Sequence, residues 1–280
     1  MEKEGKTQLI IIGGGEDKRA DKKILKEVVY LSGKDRANML VVTTATSYPL
    51  EVGEEYRRIF YDLGVNRVDT INIASRKEAN QKQIIRSLKD IDCVFFVGGD
   101  QLRISSILGG TEFHHYIQDK LEEGLIIAGT SAGASMMSEV MVVEGDEEDA
   151  PRKCTVKMAP GMGFLKGVII DQHFNQRGRI GRLLGAVAQN PYTLGIGIDE
   201  DTAIIVNKEN QIRVIGSGVI TIVDGKNIGF TNISEQYPDE PLAITNVNVH
   251  ILPTGYKFNL INRRASIIEE ETKDIEEDRK

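Results

Sequence analysis

A serine among small residues has the clearest capacity for chemistry in this chain. Ser131 lies in Gly129-Thr130-Ser131-Ala132-Gly133, between a short apolar run and a stretch of small residues and methionines suited to a helix. This G-x-S-x-G pattern is typical of a nucleophile elbow, a strand-to-helix turn so tight that its flanking residues must be small. The pattern predicts Ser131 as a nucleophile; a Gly/Ser-rich turn without chemistry is the alternative.

A serine nucleophile needs a base, and the chain has four histidines. His114 and His115 are adjacent on a polar helical stretch and are predicted to be exposed. His250 lies in a late β-rich segment, where a structural role is predicted. His173 follows the apolar run Val168-Ile169-Ile170, at the point where a strand delivers its end to an active edge. We therefore predict His173 as the base.

The carboxylate that orients the base is also expected at a strand end. The segment Gly195-Ile196-Gly197-Ile198-Asp199-Glu200-Asp201 offers three acids after an apolar run. Two-residue alternation places Glu200 on one face and Asp199 and Asp201 on the other. Alternation alone does not choose among the three, and a solvated acidic turn is the alternative.

An oxyanion hole requires two N–H donors beside the serine. Elbow geometry assigns one donor to Ala132, the residue after the nucleophile. The loop Gly98-Gly99-Asp100-Gln101 follows an apolar run, and Gly99 is predicted as the second donor because glycine lets the backbone approach closely. A simple turn before a helix is the alternative for this loop.

Three arginines follow the predicted base, at Arg177, Arg179 and Arg182. Arg179 and Arg182 are three residues apart, so they share a helix face and can converge on one anion. A guanidinium matches a carboxylate through two parallel hydrogen bonds. The cluster suggests an anionic substrate; salt bridges on the helix surface are the alternative.

Short apolar runs alternate with amphipathic stretches through the first half of the chain, which predicts an α/β fold with a mostly parallel, doubly wound sheet. The predicted strands are Gln8–Ile12, Met39–Val42, Val65–Ile73, Cys93–Val97 and Leu125–Ala128, and the predicted helices are Lys18–Leu31, Leu50–Leu63, Glu78–Leu88 and Gln101–Leu108. In such sheets the ligand site lies at the carboxyl ends of the strands. The triplet Gly13-Gly14-Gly15, interpreted as a tight turn, Thr43, Gly98 and Ser131 all fall on that edge.

The second half is predicted to add antiparallel strands to the same domain. Val140–Cys154 is acidic and is interpreted as an irregular excursion, while Asp224-Gly225 is interpreted as a hairpin-type turn. The further β segments are Val168–Ile170, Leu194–Ile198, Val214–Val223 and Ala243–Leu252, with a helix at about Arg179–Gln189. We predict one domain over residues 1–268 and a charged tail over residues 269–280.

Composition excludes several function classes. The net charge of −7 and the absence of an arginine/lysine block argue against a nucleic-acid partner. Two cysteines cannot form a disulfide framework, and neither an export signal nor an apolar run of about 18 residues is present. We expect a cytoplasmic protein without a membrane partner. No metal is expected, because no Cys/His/Asp cluster has zinc spacing, and no cofactor is expected.

Taken together, these motifs resemble those of the cyanophycinases of the S51 serine peptidase group. The shared motifs are Gly98-Gly99-Asp100-Gln101, Gly129-Thr130-Ser131-Ala132-Gly133-Ala134, Val143-Glu144-Gly145, Asp171-Gln172-His173-Phe174, Gln176-Arg177-Gly178-Arg179 and Gly197-Ile198-Asp199-Glu200. They run in family order from about Gly13 to Ala203. The β-rich final third of the chain is less diagnostic.

The resemblance implies a class I glutamine amidotransferase-like fold, a homodimer, and hydrolysis of the polymer cyanophycin to β-Asp-Arg dipeptides. It implies that Ser131 attacks the carbonyl, that His173 shuttles the proton and that Glu200 orients His173. It also implies a substrate pocket lined by Gln101, Asp171, Gln172, Arg177, Arg179 and Arg182. Two rival functions stay open at this point: another S51-type aspartyl or isoaspartyl dipeptidase, and a non-catalytic binding protein on the same fold. A glutaminase is disfavoured, because such domains place cysteine at the elbow.

Overall fold

Strands and helices alternate through the first half of the structure, as the sequence periodicity predicts. The computed structural model describes residues 7–145, 150–153, 156–237 and 240–268. The helices are α1 (Lys23–Ser32), α2 (Pro49–Asp62), α3 (Arg76–Ala79), α4 (Lys82–Ser87), α5 (Gln101–Leu108), α6 (Glu112–Glu123), α7 (Ala132–Ser135) and α8 (Ile180–Gln189). None of them combines the length and apolar character needed to cross a bilayer.

Nine strands form the main sheet, and the five that form its centre and one edge are parallel. In spatial order they are β17 (Arg264–Ile267), β16 (Tyr256–Asn259), β11 (Gln211–Gly216), β10 (Thr202–Asn207), β1 (Thr7–Ile12), β5 (Ile126–Thr130), β4 (Cys93–Phe96), β2 (Asn38–Val42) and β3 (Arg67–Ile71). The pairs from β1 to β17 are antiparallel. The sequence-based prediction of a mostly parallel sheet with antiparallel additions is confirmed.

A second sheet of four strands brings the later motifs to the first. Its order is β15 (Asn248–Pro253), β12 (Val219–Asp224), β9 (Leu194–Ile198) and β8 (Val168–Gln172). Strands β8 and β9 are parallel, so their carboxyl ends share one edge. Two short ladders complete the described strands: β6 (Val140–Gly145) with β7 (Val156–Pro160), and β13 (Phe230–Thr231) with β14 (Ile244–Thr245).

Apolar side chains fill three layers between these elements. One cluster joins the main sheet, through residues such as Ile11 and Phe96, to the second sheet, through residues such as Ile170 and Ile196. A second cluster packs α1 and α2 on the opposite face of the main sheet. A third packs α8 on the outer face of the second sheet. Because this one core lies between the two sheets, the strand ends of the main sheet are held close to those of the second sheet.

Two sequence-based interpretations of the second half are corrected by the structure. Asp224-Gly225 is not a hairpin turn, because β12 pairs with β15, whose Asn248 lies opposite Asp224. Val214–Val223 is two strands in different sheets rather than one segment. The excursion at 140–154 begins as β6, antiparallel to β7. Residues 146–149 and 154, like the predicted tail at 269–280, lie outside the described residues.

Candidate active site

Ser131 occupies a strained turn at the carboxyl end of β5. Its φ of 53° and ψ of −113° lie outside the regions that side-chain-bearing residues ordinarily adopt. Its N–H donates to the carbonyl of Ile12 at 3.0 Å, and its own carbonyl accepts from Ala134 at 2.9 Å as α7 begins. A Cβ at Gly133 would lie 2.3 Å from the carbonyl oxygen of Phe96, so the turn requires a small residue there. These are the features that the G-x-S-x-G pattern predicts.

His173 reaches Ser131 from the second sheet. It directly follows β8 with a φ of 48°, and its N–H donates to the carbonyl of Gly13 at 2.8 Å. Its Nε2 lies 3.0 Å from Oγ of Ser131, and its Nδ1 lies 2.6 Å from Oε1 of Glu200. Three distant stretches of chain therefore bring a hydroxyl, an imidazole and a carboxylate into one hydrogen-bonded line. This is the spatial relationship of a nucleophile, its base and an orienting acid.

The structure separates the three acids that alternation could not distinguish. Glu200 faces His173, and its N–H donates to Oε1 of Gln176 at 2.9 Å. Asp199 accepts hydrogen bonds from Asn175, and Asp201 accepts from Asp17 N–H at 3.0 Å and from Ser217. Within the described ranges, no group of three His, Cys, Asp or Glu side chains is arranged to hold a metal ion.

The glycine triplet after β1 packs against the imidazole of His173. A Cβ on Gly14, which has a φ of 97°, would lie 2.4 Å from Cε1 of His173. The carbonyl of Gly14 accepts from Asp201 N–H at 2.9 Å, and that of Gly13 accepts from His173 N–H. The triplet was interpreted from sequence as a tight turn. Through these two hydrogen bonds it also holds His173 and the segment that carries Glu200 in place.

Two segments lie beside Ser131 where the oxyanion hole is predicted. Ala132 is the first residue of α7, where an N–H has no partner within the helix. The Gly98–Gly99 loop passes so close that a Cβ on Gly98 would lie 3.3 Å from Cβ of Ser131. Gly99 has a φ of 143°, and a Cβ there would lie 2.2 Å from the carbonyl oxygen of Ala45, so only glycine fits. The role of the Ala132 and Gly99 amides stays a prediction.

Three side chains that the resemblance assigns to the substrate pocket form a buried cluster. Both oxygens of Asp171, 1 % exposed, accept from the guanidinium of Arg182, with Nε at 2.6 Å. Arg179 lies 3.5 Å from the same carboxylate and donates to the carbonyl of Gln172 at 2.5 Å. The two arginines do converge on one anion, but that anion is Asp171. Their contact with substrate stays a prediction.

The other expected pocket residues lie nearer the serine or the surface. Oε1 of Gln172 lies 3.4 Å from Oγ of Ser131. Gln101 donates its amide to the carbonyls of Val142 and Val143, at 2.9 and 3.2 Å, and so ties α5 to β6. Arg177 is exposed on a turn of 3-10 helix, and its N–H donates to the carbonyl of His173 at 3.2 Å.

The remaining histidines lie elsewhere in the fold. His115 is exposed as predicted, but His114 is half-buried. Nδ1 of His114 accepts from Gly110 N–H, and its Nε2 lies 2.8 Å from the carbonyl oxygen of Met162. Burial lowers the pKa of His114, so this histidine favours the neutral form. The prediction of exposure was wrong for His114, because sequence alone does not show that the Met162 carbonyl lies against its ring.

Sequence reasoning missed one buried acid beside the turn that carries Ser131. Glu16 follows the glycine triplet and is 5 % exposed. Its carboxylate accepts hydrogen bonds from the hydroxyls of Thr130 and Tyr56. A glutamate directly after three glycines at a strand end was the available signal, but nothing in the sequence showed that its side chain turns inward.

Comparison with known proteins agrees with this geometry. The sequence profile of peptidase family S51 matches residues 9–215. The chain belongs to peptidase family S51. It is therefore a hydrolase of peptide bonds, and the matched range includes both ends of the Ser131–His173–Glu200 line.

Several relatives within the family extend over most of the chain. Cyanophycinases from Trichormus variabilis and Synechococcus elongatus are each 38 % identical, covering 92 % and 91 % of this chain and 87 % and 80 % of their own lengths. The cyanophycinase of Geminocystis herdmanii is 35 % identical, covering 91 % of this chain and 94 % of its own. A solved peptidase from an acI-B1 Actinobacterium has a TM-score of 0.64 at 20 % identity, covering 91 % and 98 % of the two chains. The last comparison establishes the shared fold.

Proposed function

We propose that this S51 peptidase is a serine exopeptidase that hydrolyses cyanophycin, a polyaspartate backbone with arginine on each β-carboxyl, to β-Asp-Arg dipeptides. The observation that carries the proposal is the Ser131–His173–Glu200 line, with its distances of 3.0 and 2.6 Å. Support for the substrate comes from relatives named cyanophycinase that match more than nine-tenths of the chain.

The geometry supports acylation of the serine. Nε2 of His173 accepts the hydroxyl proton as Oγ of Ser131 attacks the peptide carbonyl carbon. The carbonyl oxygen becomes an oxyanion, to which the N–H groups of Ala132 and Gly99 donate. As the tetrahedral intermediate collapses, the imidazolium gives its proton to the leaving amine, and an acyl-enzyme remains.

Hydrolysis of the acyl-enzyme repeats these steps with water as the nucleophile. His173 removes a proton from the water, the tetrahedral intermediate forms again, and the proton returns to Oγ of Ser131 as the acid product leaves. Glu200 accepts a hydrogen bond from the Nδ1–H group of His173, which leaves Nε2 facing the serine and stabilises the imidazolium when it forms. The cycle consumes one water molecule for each peptide bond.

An exposed cation and two neutral amides lie on the edge of the fold that carries the serine. Arg177 is exposed beside His173, which favours it as the partner of a substrate carboxylate. Gln172 and Gln101 supply neutral polar groups on the same edge. We extend the proposal to a single peptidase domain over residues 1–268 acting as a homodimer in the cytoplasm, as the resemblance and the low cysteine content lead us to expect.

Product analysis tests the proposed substrate directly. Purified protein is incubated in parallel with cyanophycin and with α-aspartyl dipeptides, and products are identified by mass spectrometry. We expect β-Asp-Arg from the polymer. Cleavage of the α-aspartyl dipeptides alone would instead assign the chain to a different S51 activity, and no cleavage of either would favour a binding protein.

A further inference from the structure

A buried carboxylate lies behind the turn that carries the nucleophile. Oε2 of Glu16 accepts a hydrogen bond from Oγ1 of Thr130 at 2.6 Å, and Oε1 accepts from the hydroxyl of Tyr56 at 2.5 Å. Thr130 is the residue directly before Ser131, and it is 3 % exposed. The carboxylate therefore binds the side chain of the residue that precedes the nucleophile, and it does so in a buried position.

The second partner of Glu16 is itself held rigidly. Tyr56, on α2, is 3 % exposed, and its ring lies 4.8 Å from that of Phe95 and 6.1 Å from that of Phe60, centroid to centroid. Burial raises the pKa of Tyr56, and the charge of Glu16 raises it further, so the phenol stays protonated and donates. The carboxylate thus has two neutral hydroxyl donors anchored on different elements.

Burying the Glu16 carboxylate costs more free energy than burying a neutral side chain at the same position would. A buried carboxylate loses its hydration, and two hydroxyls compensate it less well than a cation does. Charge-assisted hydrogen bonds are, however, stronger and more directional than neutral ones. A carboxylate at this position fixes the side chain of Thr130 more firmly than an amide or a hydroxyl can.

The turn needs such support because Ser131 is strained. A residue with a φ of 53° and a ψ of −113° keeps that conformation only where its surroundings determine it. The end of β1 and the loop after it provide two constraints: the carbonyl of Ile12 accepts the N–H of Ser131, and Glu16 binds the side chain of the preceding residue. Both act on the direction in which Oγ points.

We propose that Glu16 is a positioning residue for the nucleophile, holding Thr130 and, through it, the strained backbone that aims Ser131 at His173. The inference rests on the proposed role of Ser131. Glu16 touches neither substrate nor the reacting atoms in this scheme. Its effect is expected in the rate of the chemical step and not in substrate affinity.

The test compares four variants by kcat, KM and thermal unfolding. Glu16→Gln and Thr130→Val remove the charge-assisted bond from either side, whereas Thr130→Ser keeps the hydroxyl. Asp224→Asn is the matched control: Asp224 is equally buried at 4 %, but it accepts from Arg263 at the opposite end of the second sheet. Glu16→Gln and Thr130→Val are expected to lower kcat by about 10- to 100-fold, with KM within about twofold. Thr130→Ser is expected to restore most of kcat, and Asp224→Asn to lower stability with kcat unchanged.

A second readout keeps the inference separate from the proposed substrate. The rate at which a fluorophosphonate labels Ser131 reports the aim of Oγ without any peptide, and it should fall in parallel with kcat. If the wild-type protein does not cleave cyanophycin, the proposed function fails. The labelling rate of Ser131 then tests the positioning role of Glu16 by itself. Kinetics and labelling of Glu16→Gln and Thr130→Val within twofold of wild type would overturn the inference. If Glu16→Gln does not fold, the Thr130→Val and Thr130→Ser pair decides it.

Discussion

Nδ1 of His173 lies 2.6 Å from Oε1 of Glu200, although the two residues follow different strands of the second sheet. Strands β8 and β9 are parallel and in register, with Gln172 opposite Ile198, so the residues just beyond their carboxyl ends are held side by side. The positive φ of His173 turns its ring toward Ser131, and Gly14 closes the space behind the ring. Strand pairing, not sequence proximity, therefore brings the acidic segment after β9 to the histidine.

Replacing Glu200 by glutamine should slow turnover strongly. The carboxamide cannot stabilise the imidazolium, and its NH2 group can stabilise the tautomer with the proton on the wrong nitrogen, so we expect kcat to fall by about 10²- to 10⁴-fold. The control is Asp201→Asn, because the Asp201 carboxylate faces Asp17 N–H and Ser217. Steady-state kinetics on both variants checks this, and equal losses in the two would mean that the acid is misassigned.

Adding one methyl group to Gly14 should displace the base. Its Cβ would lie 2.4 Å from the ring of His173, and the φ of 97° adds strain of about 1–2 kcal/mol. The matched control is Gly64→Ala, at a φ of 89° with nothing within 4 Å, which adds the same strain without the clash. We expect both variants to lose stability but only Gly14→Ala to lose kcat, by about 10²-fold. Comparable kcat values for the two variants would show that the position of the His173 imidazole does not depend on a glycine at position 14.

The buried Asp171–Arg182 pair should matter first for stability. Asp171→Asn leaves two buried guanidinium groups without their shared anion, and breaking such a pair costs about 3–5 kcal/mol. Urea unfolding measures the loss. Glu144→Gln, at the exposed Glu144–Lys157 pair, is the control and should leave the midpoint within error of wild type. A wild-type midpoint for Asp171→Asn would show that the pair does not stabilise the fold and would favour a role for Asp171 in substrate binding.

Cys93 should report unfolding. Burial is the largest of the effects that raise the pKa of its thiol to about 12, and the side chain is 0 % exposed. Because the raised pKa keeps the thiol protonated at neutral pH, and because the thiolate is the reactive form, iodoacetamide should not modify Cys93 in the folded protein. Mass spectrometry that quantifies the Cys93 and Cys154 peptides separately checks this during urea titration. Rapid modification of Cys93 without urea would contradict the burial of β4.

Local signals predicted the first half of the fold well, and they singled out a serine that the structure places at a strained turn. The predicted helix Gln101–Leu108 has the observed bounds, because Asp100 caps its start by accepting from Leu102 and Arg103 N–H. Ser131 was predicted as a nucleophile because an elbow imposes small residues on its own neighbours. Such features depend on a few adjacent residues, and the sequence displays them directly.

Features that depend on distant partners could not be predicted. Spacing showed that Arg179 and Arg182 share a face, but not that Asp171 would be the anion between them. The hairpin at Asp224 was expected from local turn chemistry, whereas tertiary packing pairs β12 with a strand that begins at Asn248. Glu16 was missed for the same reason, since its partners Thr130 and Tyr56 lie 114 and 40 residues away.

Ser131→Ala gives the most direct measurement of the central claim. With cyanophycin as substrate, we expect the variant to bind the polymer as the wild type does while turnover falls by about 10³-fold or more, because the nucleophile is lost and the rest of the site stays intact. Turnover by Ser131→Ala at the wild-type rate would contradict the assignment of Ser131, His173 and Glu200 as the catalytic line.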